Sequence, residues 1–298
     1  MDTFDESTVD YHDAGTMNFK CLKCEALMFK GEQSKKAKFT LCCSDGAVRI
    51  PPVKEPPQIL KQLLTGNTNR DKDFRQSVRA YNSSLAFASM CLTGMEFTFK
   101  TKGPYCYRIN GQVYHAISQI EPEFGRKPGF SQIYIYDDQI QLENRLNVFN
   151  SLDASMLKDL QDMMTEINPY AQKYRHIGNV IKEKPATDIR LVLRSTGKAV
   201  DPRRYNLPTG TDIAVVIPTN PSNLASRRDV VVYKSAVHHP TGQSLQYINT
   251  EHPMYDPLVY VLMFPYGDKG WELGSYTSAN RKSEKCSPMQ YYLSLIHI

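Results

Sequence analysis

The sequence predicts an α+β fold in which a small cysteine-rich, zinc-binding-like module is followed by mixed helix and antiparallel-strand domains. Three observations carry that reading. Four of the seven cysteines stand close together, as Cys21, Cys24, Cys42 and Cys43. Apolar residues recur at helical spacing after Pro56-Pro57 and again from Met156 to Ile167. From Ile189 onward, short β-branched runs alternate with loops rich in Pro, Gly and Asn.

With 298 residues, 41% hydrophobic and 22% charged, the chain can bury a sizeable core and hold two domains. No apolar run reaches the roughly 18–20 residues of a membrane span, and no signal peptide opens the chain, so no membrane partner is expected. Residues 1–16 form an acidic leader, with Asp2, Asp5, Glu6, Asp10 and Asp13 ahead of the first lysine, and such a leader is expected to be disordered. The net charge of +5 and pI near 8.7 admit nucleic acid as a partner without demanding it. An odd cysteine count without a signal peptide argues for reduced thiols in the nucleus or cytoplasm rather than a disulfide framework.

Residues 17–52 are the cysteine module, with short strand-like runs and a turn at Ser44-Asp45-Gly46. Residues 53–184 form a mixed α/β region. Its first helix starts after Pro56-Pro57, carries Ile59, Leu60, Leu63 and Leu64, and stops at Gly66. A second helix puts Phe74, Val78 and Tyr81 on one face. Asn110-Gly111, between alternating runs at 105–109 and 112–117, predicts a two-residue hairpin turn, because both turn positions need positive φ. Ile133 to Tyr136 reads as a strand. Asp153 to about Tyr174 reads as a helix that Pro169 breaks or kinks, with its methionines filling a core. Residues 185–292 are strand-rich, with strands at 189–193, 213–217 and 230–233. Near the end, Leu258 to Phe264 is an apolar run, a buried strand or a short core helix, inside an aromatic-rich corner from His252 to Trp271.

Metal chemistry resides in one constellation. Cys21-x-x-Cys24 lets two thiolates converge on a tetrahedral zinc, and Cys42 and Cys43 would complete the site. Adjacent residues on an extended strand point to opposite faces, so both can ligate only if the chain turns at Cys42-Cys43. If one alone binds, His12 is the candidate fourth ligand; the competing reading is four buried thiols without metal. Lys35, Lys36 and Lys38 beside this module, with Arg203, Arg204, Arg227 and Arg228 further on, are the candidate DNA contacts. A plain solvated face is the competing reading for each cluster.

Several blocks carry a resemblance: Cys21 to Cys24 with Phe39 to Pro52, Arg79 to Phe87, Gly103 to Ser118, Gln132 to Asp137, Tyr205 to Pro218 and His252 to Trp271. In this order they resemble the N-terminal region of Helitron proteins, the rolling-circle transposases. That family looks like a fusion of a zinc-finger-like N-terminus, a two-histidine tyrosine nuclease and an ATP-dependent helicase. The resemblance implies a non-catalytic fragment that binds or positions DNA, single-stranded or at transposon ends, for a nuclease-helicase lying C-terminal to it. It also implies nuclear localisation, with ATP and Mg²⁺ belonging only to the helicase part. The alternative is a protein–protein scaffold for that nuclease-helicase with no DNA affinity of its own. Similar members continue past a pair such as Tyr291-Tyr292 into a basic segment. Here Leu293 to Ile298 matches one reading frame of a sequencing adaptor and is expected to be a scar, the alternative being a genuine short apolar tail.

The family's nuclease holds its metal with two histidines separated by one apolar residue. His238 and His239 are adjacent instead, and His115, His176 and His252 are isolated, so no nuclease site is expected. Thr196-Gly197-Lys198-Ala199 lacks the glycine a phosphate loop needs at Val192 and the hydroxyl it needs at Ala199. No catalytic residue is assigned.

Overall fold

The computed structural model describes residues 13–34, 38–46, 48, 50, 54–92, 96–98, 107–109, 112–185, 188–193, 213–216, 230–271 and 286–297. The fold is α+β with antiparallel sheets. The chain divides into two compact units, Pro56–Gly270 and a smaller one made of Met1–Glu55 with Trp271–Ile298.

The larger unit opens with α1 (Gln58–Thr65) and α2 (Asn69–Leu85). Gly66 ends α1, its N–H donating to the Gln62 carbonyl, and Arg75 Nη1 satisfies the carbonyls of Leu63, Leu64 and Gly66 that the helix leaves open. Thr68 and Asp71 start α2 with a reciprocal capping box: the Thr68 hydroxyl accepts from the Asp71 N–H, and the Asp71 carboxylate accepts from the Thr68 N–H at 2.9 Å. Phe74, Tyr81 and Leu85 form the buried face of α2, as their spacing predicts.

Three helices follow: α3 (Asp138–Val148), α4 (Ala154–Ile167) and α5 (Pro169–Glu183). The predicted long helix is broken rather than kinked. Asn168 ends α4 and begins α5, its side-chain oxygen accepting from the Tyr170 and Ala171 N–H groups, and Pro169 fills the first helical position, where no N–H is needed. Met156, Met163 and Met164 are core residues. Arg145, on α3, is 1% exposed, yet no carboxylate bonds it among the described residues. Its Nε donates to the Ser84 carbonyl at the end of α2, its Nη1 donates to Gln141 and Gln161, and its guanidinium lies 4.5 Å from the Tyr134 ring centroid. The partial negative charge of the α2 terminus and the Tyr134 ring face thus hold the cation in place of an acid.

The predicted strand at Ile133–Tyr136 is instead part of a 3₁₀ helix, Phe130–Ile135. Five successive residues, Ser131 to Ile135, are buried, so no solvent face remains to set a strand's alternation. Tyr134 donates its hydroxyl to the Leu85 carbonyl at 2.6 Å. Gly178 on α5 packs so closely that a Cβ there would lie 2.1 Å from the Ile135 carbonyl oxygen.

Ten short strands are described, all paired antiparallel. In this unit β3 (Ser89–Leu92), β6 (Val113–Ser118) and β10 (Leu245–Ile248) form one sheet in the order β10-β6-β3, while β4 (Glu96–Thr98) pairs with β5 (Tyr107–Ile109). Leu92 faces Val113 in the first sheet and Glu96 faces Ile109 in the second. Asn110-Gly111 itself lies outside the described residues, but the described strands on either side of it pair with earlier chain and not with each other, against the expected hairpin. β6 has both of its edges occupied, by β3 and β10, which leaves none for β5. The strands at 189–193, 213–217 and 230–233 are present as β7 (Arg190–Leu193), β8 (Ile213–Val216) and β9 (Val230–Tyr233), in the order β8-β7-β9.

Leu258 to Phe264 resolves as the end of a short helix, α6 (Tyr255–Val259), followed by turns. The Leu258 carbonyl accepts from the Phe87 and Ala88 N–H groups, and Asn82 bonds both the Val259 carbonyl and the Leu262 N–H. Leu258, Val259, Val261 and Leu262 join the same core as Leu60, Met164, Leu191 and Val232, so one core draws on both sides of the expected 184/185 boundary. The aromatic corner is not a single cluster. Tyr260 is partly exposed, and Trp271 packs with Val48, Cys286 and Tyr291 of the smaller unit.

That smaller unit holds β1 (Phe19–Lys20) paired with β2 (Leu27–Met28), and α7 (Pro288–His297). Leu293 to His297, expected to be an adaptor scar, continue α7. No helix among the described residues is long and apolar enough to cross a membrane.

Candidate metal centre

The first pair of cysteines sits on the turn between β1 and β2. The Cys21 N–H donates to the Ala26 carbonyl and the Glu25 N–H returns to the Cys21 carbonyl, both at 2.9 Å, closing a tight knuckle with Glu25 at φ 62°. The second pair is reached by a bridge between Gln33 and Phe39 and by a turn stabilised through Ser44 N–H to Thr40 carbonyl. The chain then runs through positive φ at Ser44 (49°), Asp45 (56°) and Gly46 (85°). This meets the condition the sequence set: Cys42-Cys43 is a turn and not a strand, so neighbouring side chains need not diverge.

The four Sγ atoms of Cys21, Cys24, Cys42 and Cys43 all lie within 4.8 Å of one another. Cys21 and Cys43 are 3.8 Å apart, and Cys42 and Cys43 are 3.9 Å apart. Four sulfurs at about 2.3 Å from a tetrahedral zinc would be separated by about 3.8 Å, so the thiols are near the spacing such an ion requires. Cys21, Cys42 and Cys43 are buried at 3%, 1% and 3% exposure, and Cys24 is half-buried. With Ala26, Met28 and Phe39 the buried three make a small core against which Cys24 packs. The cluster is compatible with a metal such as zinc.

Electrostatics divides the thiols. Burial opposes ionisation of Cys21, but the N–H groups of Lys23 and Cys24 and bonds from neighbouring thiols outweigh it, bringing its pKa down to about 7. Burial pushes Cys43 up to about 11, although the Gly46 N–H donates to its sulfur at 3.1 Å. Burial and the adjoining thiols push Cys42 up as well. Four sulfurs this close repel when ionised together, and a divalent cation at their centre is what would hold all four as thiolates. The lowering at Cys21 comes chiefly from backbone N–H groups, with the neighbouring thiols adding to it.

Of the candidate DNA contacts, Lys38 is placed beside the centre, where its ammonium pairs with Asp45 at 2.7 Å. Lys35, Lys36, Arg203, Arg204, Arg227 and Arg228 lie outside the described residues, as does His12. The histidines have other partners: His115 Nδ1 meets the Tyr255 hydroxyl at 2.8 Å, His238 Nδ1 meets Ser235, His239 Nδ1 accepts from Thr241 N–H, and His252 Nδ1 accepts from Met254 N–H. His176 is exposed on α5. Among the described residues the four cysteines are the one converging group of three or more His, Cys, Asp or Glu ligands. Two contacts escaped sequence reasoning. The Gly46 N–H on sulfur is signalled, in hindsight, by Asp45-Gly46. The Ser294 hydroxyl, buried on α7, donates to the Cys42 carbonyl across a separation no local pattern reveals.

Comparison with protein-family models finds no match, and comparison with curated proteins finds none.

Proposed function

We propose that this chain is the non-catalytic, DNA-positioning N-terminal region of a Helitron-type rolling-circle protein, and that Cys21, Cys24, Cys42 and Cys43 hold a structural zinc. The observation that carries the reading is the convergence of four thiols at tetrahedral spacing, in the cysteine-rich block where the resemblance to that family begins. All four positions are filled by sulfur, which leaves no open coordination site for a substrate, so the ion stabilises the fold. DNA contact would come from lysines near the module meeting phosphates, with loops setting register.

The experiment is salt-dependent binding of single-stranded oligonucleotides to zinc-loaded protein. Replacing Lys35 and Lys36 with Ala should lower the slope of log affinity against log salt by up to about two units, at under one unit per phosphate contact. Lys38→Ala should add less than a full contact, since Asp45 already pairs with that ammonium. A folded, metal-loaded double variant with the parent's slope removes these lysines from the interface. The scaffold reading has its own support in the exposed Met90 and Val113, which the register places on one face of the β10-β6-β3 sheet. Binding to oligonucleotides too weak to measure, with the module intact, favours it.

A further inference from the structure

Three residues of the four-thiol centre are buried and one is half-buried. Cys21, Cys42 and Cys43 pack with Ala26, Met28 and Phe39, while Cys24 is half-buried on its knuckle. Of the four, Cys24 is the cysteine most accessible to a small polar oxidant. Within reach of that sulfur is Cys21, three residues back on the same turn and within 4.8 Å. A Cys-x-x-Cys loop can close to a disulfide at about 2.05 Å with little movement of the chain. Any disulfide here removes two ligands at once, and two remaining thiolates do not make a stable zinc site.

We propose that the centre is a peroxide-responsive switch, in which Cys24 is the point of attack, Cys21 resolves it, and closure of the Cys21–Cys24 disulfide expels the metal. This rests on the zinc reading above and adds regulation to it. The Cys24 thiolate attacks one peroxide oxygen, the O–O bond breaks, and a sulfenic acid and a hydroxide result. The Cys21 thiolate then attacks the Cys24 sulfur, forming the S–S bond and releasing the second hydroxide. Two thiolates lose two electrons, one peroxide gains them, and two protons from solvent make two waters. Loss of the ion would return Cys42 and Cys43 to buried thiols and free the turn at Ser44-Asp45-Gly46 from the geometry the centre imposes.

The test uses the full chain with its zinc counted first. Hydrogen peroxide is added while released zinc is followed with a chromogenic chelator and remaining thiols are titrated. One zinc freed per two thiols lost is the expected result. Trypsin cleaves after Lys20, Lys23 and Lys30, so the disulfide should appear as the peptide 21–23 joined to the peptide 24–30. Protein that carries no zinc at the outset overturns the zinc reading itself. Protein that carries zinc and keeps it while thiols are oxidised, or whose first disulfide involves Cys42 or Cys43, overturns the switch alone.

Discussion

Two reciprocal substitutions test whether backbone strain sets the strength of the metal centre. Gly46 has φ 85° and donates its N–H to the Cys43 sulfur at 3.1 Å. Glu25 occupies the equivalent bend of the first knuckle at φ 62°, with an exposed side chain. A non-glycine residue in the left-handed region costs about 1–2 kcal/mol. Gly→Ala recovers about 0.4–1 kcal/mol by restricting the unfolded chain, so the net penalty of Gly46→Ala is about 1 kcal/mol. A Cβ at Gly46 would find the Lys23 stem at 3.4 Å, an ordinary contact, so torsion decides the outcome and not collision. Metal binding by such a module includes the free energy of folding it, so the penalty should appear as about fivefold weaker zinc binding. Glu25→Gly reverses the sign and should tighten binding by a similar factor. Competition against a chelator of known affinity measures both. Equal affinities for parent and both variants, or shifts in the same direction, would refute the argument that the two bends are strained and coupled to the ion.

Other outcomes follow from the same geometry. Arg145→Met strands three buried acceptors, the Ser84 carbonyl and the Gln141 and Gln161 side-chain oxygens. At roughly 1–3 kcal/mol each, less the several kcal/mol that removing a desolvated cation returns, the net loss should be about 2–4 kcal/mol in urea unfolding. A variant as stable as the parent would show that the cation does not hold those elements. Metal binding should also release protons. Cys43 is held up at about 11 and Cys42 is raised too, so near pH 7 both must lose a proton to ligate, while Cys21, brought down to about 7, is already partly ionised. Zinc affinity should therefore fall as pH falls, by at least about two log units per pH unit on the alkaline side of neutrality, with at least about two protons appearing per ion in weakly buffered solution. For the metal-free module the sign is opposite. A thiol whose pKa is raised on folding favours the folded state below its ordinary value near 9, and that contribution is lost as pH rises through about 11.

Helices were legible where spacing and end signals agreed: Gly66 stops α1, and Pro169 interrupts the long helical pattern. The caps that start α2 and α5, Thr68 with Asp71 and Asn168, emerged only from the structure. The Ile133–Tyr136 strand misread has a definite cause. A run of consecutive apolar residues looks alike whether it is a buried strand or a buried 3₁₀ turn, and only its burial on all sides, with α5 held close by Gly178, separates the two. Asn110-Gly111 misled for a similar reason. Turn preference is local, whereas the strands beside it find distant partners, β6 on β3 and β10 and β5 on β4. The cysteine site was legible as four residues of the right chemistry, with its one doubt, the adjacent Cys42-Cys43, stated as a condition.

By itself the sequence determined the residue types and their local spacing. These are the thiols of a Cys-x-x-Cys knuckle, the apolar faces of α2 and α4, and the β-branched runs of β8 and β9. Each depends on backbone periodicity within a few residues. The tertiary structure decided what meets across the chain. It brought Cys42-Cys43 round a left-handed bend to within 4.8 Å of the first pair, set Trp271 beside Val48 and Cys286, and laid a buried arginine on the end of α2 in place of an acid. Those contacts join residues far apart in sequence. Their free energy comes from burial and hydrogen bonding that exist only once the intervening chain has folded, so no local pattern records them.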